Sequence, residues 1–469
     1  MSVVTNILLN SPSSKPENFI SIFKAAENKV SLDVLTQTSL MGYYKKFQNI
    51  NEVHNLIETL DINDNSIRER YKIPEDLPIN LYIEYDRFLS ILTTEQALNI
   101  ACHHCLYVEK LLAENNYDAI IGEIGGLVHS LLYWFGNKKG IPFIWPLMSF
   151  WEDRFFITSG DENAWFNNLS AFIISESDIL KYQEKAKFYK EEMKSKKPKM
   201  VHIEDEKSTY EVSKLVFKFI IKSPKKINSL IKNIFFKKYS YLERSLSFII
   251  INKYFNKFNY YLFEKKYLSN KVDLSCKYIL FYLHYEPDLS TIVWAPYIKN
   301  QLEAIKNISF SIPNGYKLYI KEHPLSVGTR DRGFYKTIVS NHNVKLINSS
   351  FDGKKLLENT DCVVTITGSI GNEAMYFNKP IITLGNVYYN DFIGTKNVTD
   401  FSKLKEEILK SIKDKNYTEK DVEIFIIKLL AFTYEGDYYK TVVNPENLQN
   451  SKKISNSILE YINRAKNEI

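Results

Sequence analysis

Three blocks between Tyr278 and Gly385 hold residue types that can do chemistry, each at the end of a run that reads as a strand. The last block is TITGSIGNEAMYFNKPIITLG, residues 365–385. The run leading into it, DCVVTIT, is apolar and β-branched, the composition of a strand buried on both faces. Thr367, Gly368, Ser369 and Gly371 follow, then a helix containing Glu373, then Lys379-Pro380 and a second strand over 381–384. A strand–Gly/Ser turn–helix unit places unpaired backbone N–H groups and a hydroxyl at the positive end of a helix, where a phosphate is held. Glycine at such a turn also occurs for steric reasons alone, so its neighbours matter.

The block YIKEHP reads as a short strand ending in Lys321, Glu322, His323 and Pro324. Carboxyl ends of strands are where α/β sheets present ligand-binding groups. A histidine there can donate to a phosphate oxygen, and the proline stiffens the loop that aims it; a loop histidine without a role is the alternative. The block FYLHYEPDLST adds His284 to the ligand-binding set and Glu286 as a candidate catalytic carboxylate. In the first half of the chain, YDAIIGEIGGLVHSLLYWFGNKKGIPFIWP reads as strand, glycine turn, helix and strand. Glu123 stands at that strand's carboxyl end. It could take a proton from an attacking hydroxyl, or simply cap the following helix.

With these residues in view, the chain resembles the bacterial capsule-polysaccharide synthesis glycosyltransferases, which include Kdo transferases. LHYEPDLST is similar to the family segment LHYQPE-[AS]-[ST]-T, with Glu286 where glutamine is common and Asp288 where glutamate is. The His-Pro and Gly-Ser elements are also similar to those of bacterial sialyltransferases. The resemblance implies that His323, Pro324 and Ser369 hold the phosphate of a CMP-sugar donor. It implies a sugar acid of the Kdo or sialic acid type, moved to a capsule or lipopolysaccharide acceptor. The stretch FIWPLMSFWEDRFFITSGDENAW resembles the family segment that follows the second strand of the glycine unit. That makes Asp153 and Arg154 candidate acceptor contacts, a surface ion pair being the alternative. The C-terminal pattern also resembles the UDP-N-acetylglucosamine 2-epimerases, an isomerase reading, and a non-catalytic polysaccharide-assembly subunit is a third.

The elements that must position these residues alternate strand and helix in both halves of the chain. Strands are expected at Asn6–Leu9, Val30–Thr36, Leu81–Ile83 and Ala119–Gly122, with a helix over Thr93–Asn115. The class is α/β, with two Rossmann-like domains facing a cleft, the GT-B architecture. The expected divisions are an acceptor domain over 1–178, a basic helical insert over 179–270, a nucleotide-sugar domain over 271–430, and C-terminal helices over 431–469. No Asp-x-Asp pair occurs, so no metal is expected, and no cofactor beyond the nucleotide-sugar co-substrate.

The chain has 469 residues and a net charge of +6. Residues 181–270 alone hold 22 Lys and Arg against 9 Asp and Glu, interleaved with aromatic and aliphatic residues. Basic amphipathic helices suit an anionic membrane surface; a solvated helical face is the plainer reading, and no nucleic-acid recognition motif accompanies the charge. Four cysteines give no disulfide framework, and Cys102-His103-His104-Cys105 falls in a helical pattern without a second ligand pair. The start lacks a secretory signal pattern and no apolar run spans a membrane. The expected place is the cytoplasm, peripheral on the inner face of the cell membrane. The expected partners are a nucleotide-sugar donor and a glycan or glycolipid acceptor.

Overall fold

The computed structural model describes residues 4–195 and 251–468 apart from short breaks, the longest at 12–19, 38–49, 160–168 and 439–446. The chain forms two compact units, Met1–Phe172 with Leu429–Ile469, and Ile173–Lys428. Strands β1 (Thr5–Ser11), β2 (Val30–Thr36), β3 (Ile50–Asn55), β4 (Ala119–Gly122), β5 (Phe143–Met148) and β6 (Arg154–Thr158) belong to the first unit. The second unit supplies β7 (Tyr278–Tyr282), β8 (Lys317–Lys321), β9 (Val344–Ile347), β10 (Cys362–Thr365), β11 (Ile381–Thr383) and β12 (Thr395–Asn397). A short β13 (Tyr434–Glu435) returns to the first unit.

The first sheet runs β13-β6-β5-β4-β1-β2-β3. It is parallel from β3 through β5 and antiparallel at the β5–β6 and β6–β13 pairs. The second sheet runs β12-β11-β10-β7-β8-β9, and every pair is parallel. Parallel strands need crossover connections, and helices on the sheet faces bury the continuous apolar runs that were read as doubly covered strands. Ile279, Phe281, Leu318, Ile320, Val364 and Ile382 accordingly form one buried core with Ile305, Ile308 and Ile338 from the helices. The α/β class with two Rossmann-like sheets is therefore present.

One expected strand is wrong. Leu81–Ile83 lies inside the helix Ile79–Glu84, which begins right after Pro78 and buries only Tyr82 among its side chains. A three-residue apolar run carries no period that separates strand from helix, and the preceding proline favours a helix start. The Cys102–Cys105 stretch is part of the helix Thr94–Glu114, opened by a capping box between Thr93 and Gln96.

Candidate active site

Strands β10, β7 and β8 are neighbours in the second sheet, so Thr365, Tyr282 and Lys321 bring their carboxyl ends to one edge. The segments leaving those three ends carry the three blocks. After β10 comes the helix Ser369–Tyr376, with Gly368 at its N-cap and no side chain capping it. Ser369 is exposed and Glu373 partly so, while Ile370 and Gly371 are buried. An uncapped helix start leaves N–H groups and the positive end of the helix dipole available to an anion.

His284, leaving β7, fixes this turn from beside it. The Thr367 N–H donates to His284 Nε2 at 3.1 Å. A Cβ on Gly368 would lie 3.1 Å from that nitrogen and 2.8 Å from Thr365 Oγ1, so glycine permits the approach. Burial, reinforced by Arg330 and His323, pushes His284 down to about 3. It is therefore neutral, and since Nε2 accepts, the hydrogen sits on Nδ1. That Nδ1 and the Thr367 hydroxyl are buried and have no hydrogen-bond partner among the described residues. Buried polar groups are normally satisfied, so both atoms retain hydrogen-bonding capacity that a ligand can use.

His323, leaving β8, accepts from the Leu325 N–H through Nδ1 at 3.2 Å, capping the short turn Pro324–Ser326. Burial, Arg330 and Lys321 push it down to about 4. With Nδ1 accepting, neutral His323 carries its hydrogen on Nε2, the arrangement of a donor to an oxyanion. Pro324 sets the loop by opening that turn. The partly exposed His323 ring tilts against Tyr285, centroids 6.0 Å apart.

Arg330 ties these blocks together, and sequence reading did not single it out. It is buried, pairs with Glu322 at 2.9 Å and Glu286 at 2.8 Å, and donates to the His284 carbonyl at 2.5 Å. Glu322 is fully enclosed, and its carboxylate also accepts from the His323 N–H at 2.6 Å. Both its oxygens are engaged within the chain, on Arg330 and the His323 N–H. Glu286, the candidate catalytic carboxylate, is about one-third exposed and has one oxygen on Arg330. Lys321 is buried and donates to the Ser349 carbonyl at 2.7 Å, with its ammonium near the Tyr282 ring.

Burial pushes the Glu373 carboxyl up to about 7, against the pull of Lys321, Lys354 and a hydrogen bond from Ser369. Gly371 was expected among the donor contacts. It is buried and closely packed: a Cβ there would fall 2.6 Å from the Tyr389 ring and hydroxyl, and Tyr389 donates to the Gly368 carbonyl at 2.5 Å. Tyr389 thus braces the turn from behind, a role its distance in sequence concealed.

The glycine turn of the first unit is built differently. Gly126 has φ +79° and a Cβ there would meet Asp86 Oδ2 at 2.9 Å. Asp86 is buried and accepts from the Leu127 N–H at 3.1 Å, so a carboxylate already occupies the start of the helix Gly126–Lys138. Glu123 lies outside the described residues. Arg154 is buried, donating to the Thr433 hydroxyl at 3.0 Å and to the carbonyls of Leu430 and Thr433. It anchors Leu430 and Thr433 against β6. Asp153 is exposed, and its carbonyl accepts from the Gly436 N–H at 2.9 Å. The only candidate metal grouping among the described residues is Asp33, Glu52 and His54, on β2 and β3.

A family model described as capsule polysaccharide biosynthesis protein matches residues 222–427. The capsule polysaccharide modification protein LipA of Neisseria meningitidis is 31% identical over 72 residues, a match covering 15% of this chain and 10% of that protein. Among solved structures, the beta Kdo 2,7 transferase KpsC of Thermosulfurimonas dismutans is similar at 10% identity and a TM-score of 0.43, over 95% of this chain and 99% of that one. A UDP-GlcNAc 2-epimerase from Methanocaldococcus jannaschii is similar at 13% identity and a TM-score of 0.26, over 92% and 100% of the two chains.

Proposed function

Residues 222–427 match the family model described as capsule polysaccharide biosynthesis protein, and from that match we propose that the chain is a glycosyltransferase. It moves a sugar acid of the Kdo or sialic acid type from a CMP-linked donor to a surface-polysaccharide acceptor, a glycan or glycolipid. The observation that carries this is the uncapped start of the helix Ser369–Tyr376, beside neutral His323 on a nearby strand end of the same sheet. In this reading the donor phosphate sits on the helix start. Ser369 and the Nε2 hydrogen of His323 meet the charge that develops as the nucleotide leaves. His284 and Thr367 line that place, and Glu286, one-third exposed on the segment after β7, is the carboxylate we assign to proton transfer. The first unit takes the acceptor. No Asp-x-Asp pair exists to hold a divalent ion, so the leaving charge is met by the chain's own donors without metal. Work on such an acceptor puts the protein in the cytoplasm against an anionic membrane surface; among the described residues no helix is long and apolar enough to cross a membrane.

Thermal unfolding in CMP-, UDP- and GDP-sugars tests the donor class. A ligand at a hundred times its Kd adds about 2.7 kcal/mol to unfolding, several degrees of Tm. The CMP-sugar should give that shift with or without EDTA. A shift only with UDP-N-acetylglucosamine points to an isomerase, and a CMP-sugar shift that chelation abolishes and magnesium restores refutes the metal-free reading.

A further inference from the structure

We propose that the outer face of the helical segment 251–264 is a docking surface for an anionic bilayer. The segment is helical through residues 251–259, apart from residue 254 outside the described set, and widens into a π-turn over Tyr260–Glu264. Its inner face is taken by the loop that carries Arg330. Asn256 donates to the Thr329 carbonyl and to Asp331, each at 3.1 Å. Tyr260 is buried edge-on to Tyr335, and Glu264 accepts from the Gly333 N–H.

Among the described residues, no such contacts cover the opposite side. Phe255, Phe258, Leu262 and Phe263 are 65%, 56%, 57% and 50% exposed. Single exposed apolar residues are ordinary, but a contiguous row of them marks an interaction surface. The exposed charge around the row is mostly basic, its one neighbouring exposed acid among the described residues, Asp331, accepting from Asn256. Lys265, Lys266 and Arg332 are exposed beside it, the Arg332 guanidinium stands 5.4 Å from the Phe263 ring centroid, and the acid within the row, Glu264, is turned inward. Large apolar side chains flanked by basic ones match the boundary between anionic headgroups and acyl chains. A soluble polyanion would satisfy the cations and leave the phenylalanines in water. This surface rests on the membrane-acceptor part of the proposed function: its inner contacts fix it to the Thr329–Gly333 loop, and through Arg330 to the candidate site.

The test is co-sedimentation with phosphatidylglycerol-containing vesicles against phosphatidylcholine-only vesicles at low salt, without nucleotide or acceptor. The wild type should bind the anionic vesicles, and Phe255→Ser/Phe258→Ser/Leu262→Ser should weaken binding by about tenfold or more. Phe310→Ser, 68% exposed on the helix Gln301–Ser311, should bind as wild type does. Circular dichroism checks folding; should the triple variant unfold, Lys265→Glu/Lys266→Glu at exposed positions takes its place, with weakened binding expected. Wild type that ignores anionic vesicles, or full binding by the folded variants, overturns the proposal. So does a vesicle-free dimer that the variants abolish, since a second copy then covers the face. Nucleotide binding, measured separately, tells a failed surface from a failed transferase reading.

Discussion

Glu373 is the residue whose ionisation falls where it matters. Its carboxyl, pushed up to about 7 by burial, changes charge across neutrality within a turn of the helix start that would receive the donor phosphate. Above that pH it is anionic and opposes a second anion; below it the opposition is gone. Affinity for a CMP-sugar, whose phosphodiester keeps its charge over this range, should therefore weaken as pH rises from 6 to 8. A neighbouring charge in a protein environment is worth about 1 kcal/mol at such separations, roughly fivefold in Kd. Glu373→Gln should flatten the profile; an unchanged profile would show that another group titrates. His323, Ser369 and Glu373 were legible because each stands at a strand end or helix start, positions that the apolar period marks. Arg330 was not, because what defines it is a set of partners on other segments, Glu322, Glu286 and the His284 carbonyl.

At the scale of elements, that arginine holds the loop after β8 to the segment after β7. Removing one member of a buried ion pair leaves the other charge enclosed and uncompensated, a cost of about 3–5 kcal/mol. Arg330→Met should show that loss in urea unfolding and weaken nucleotide binding with it. Arg330→Lys should recover little of it, since a point charge cannot span two carboxylates and a carbonyl. Near-wild-type stability in the methionine variant would mean the pair is not what orders the loop. Both glycine turns were visible in the sequence as strand–turn–helix units. Only the structure separates them, because Asp86, forty residues before the first turn, fills that helix start, whereas among the described residues no side chain caps the helix after Gly368. Val30–Thr36 and Ala119–Gly122 were readable to the residue as short, largely apolar runs. Leu81–Ile83 misled because a short apolar run fits either period.

The whole molecule joins a mostly parallel first sheet to an all-parallel second one. The candidate donor site belongs entirely to the second unit, where the family match also falls. Its charge is uneven along the chain, the basic stretch 181–270 lying against a net +6 overall. Most of that stretch, including Lys225, Lys226, Lys237 and Lys238, is outside the described residues. The central claim is that the carboxyl edge of β10, β7 and β8 holds the phosphate of a CMP-sugar. Titration calorimetry of a CMP-sugar into wild type, Ser369→Ala and His323→Ala tests it most directly. Loss of one hydrogen bond to a charged group is worth about 1.5–3 kcal/mol, so each variant should bind roughly 10- to 150-fold more weakly with its fold intact. A wild type that binds no CMP-sugar, or two variants that bind it as tightly as wild type, would contradict the account.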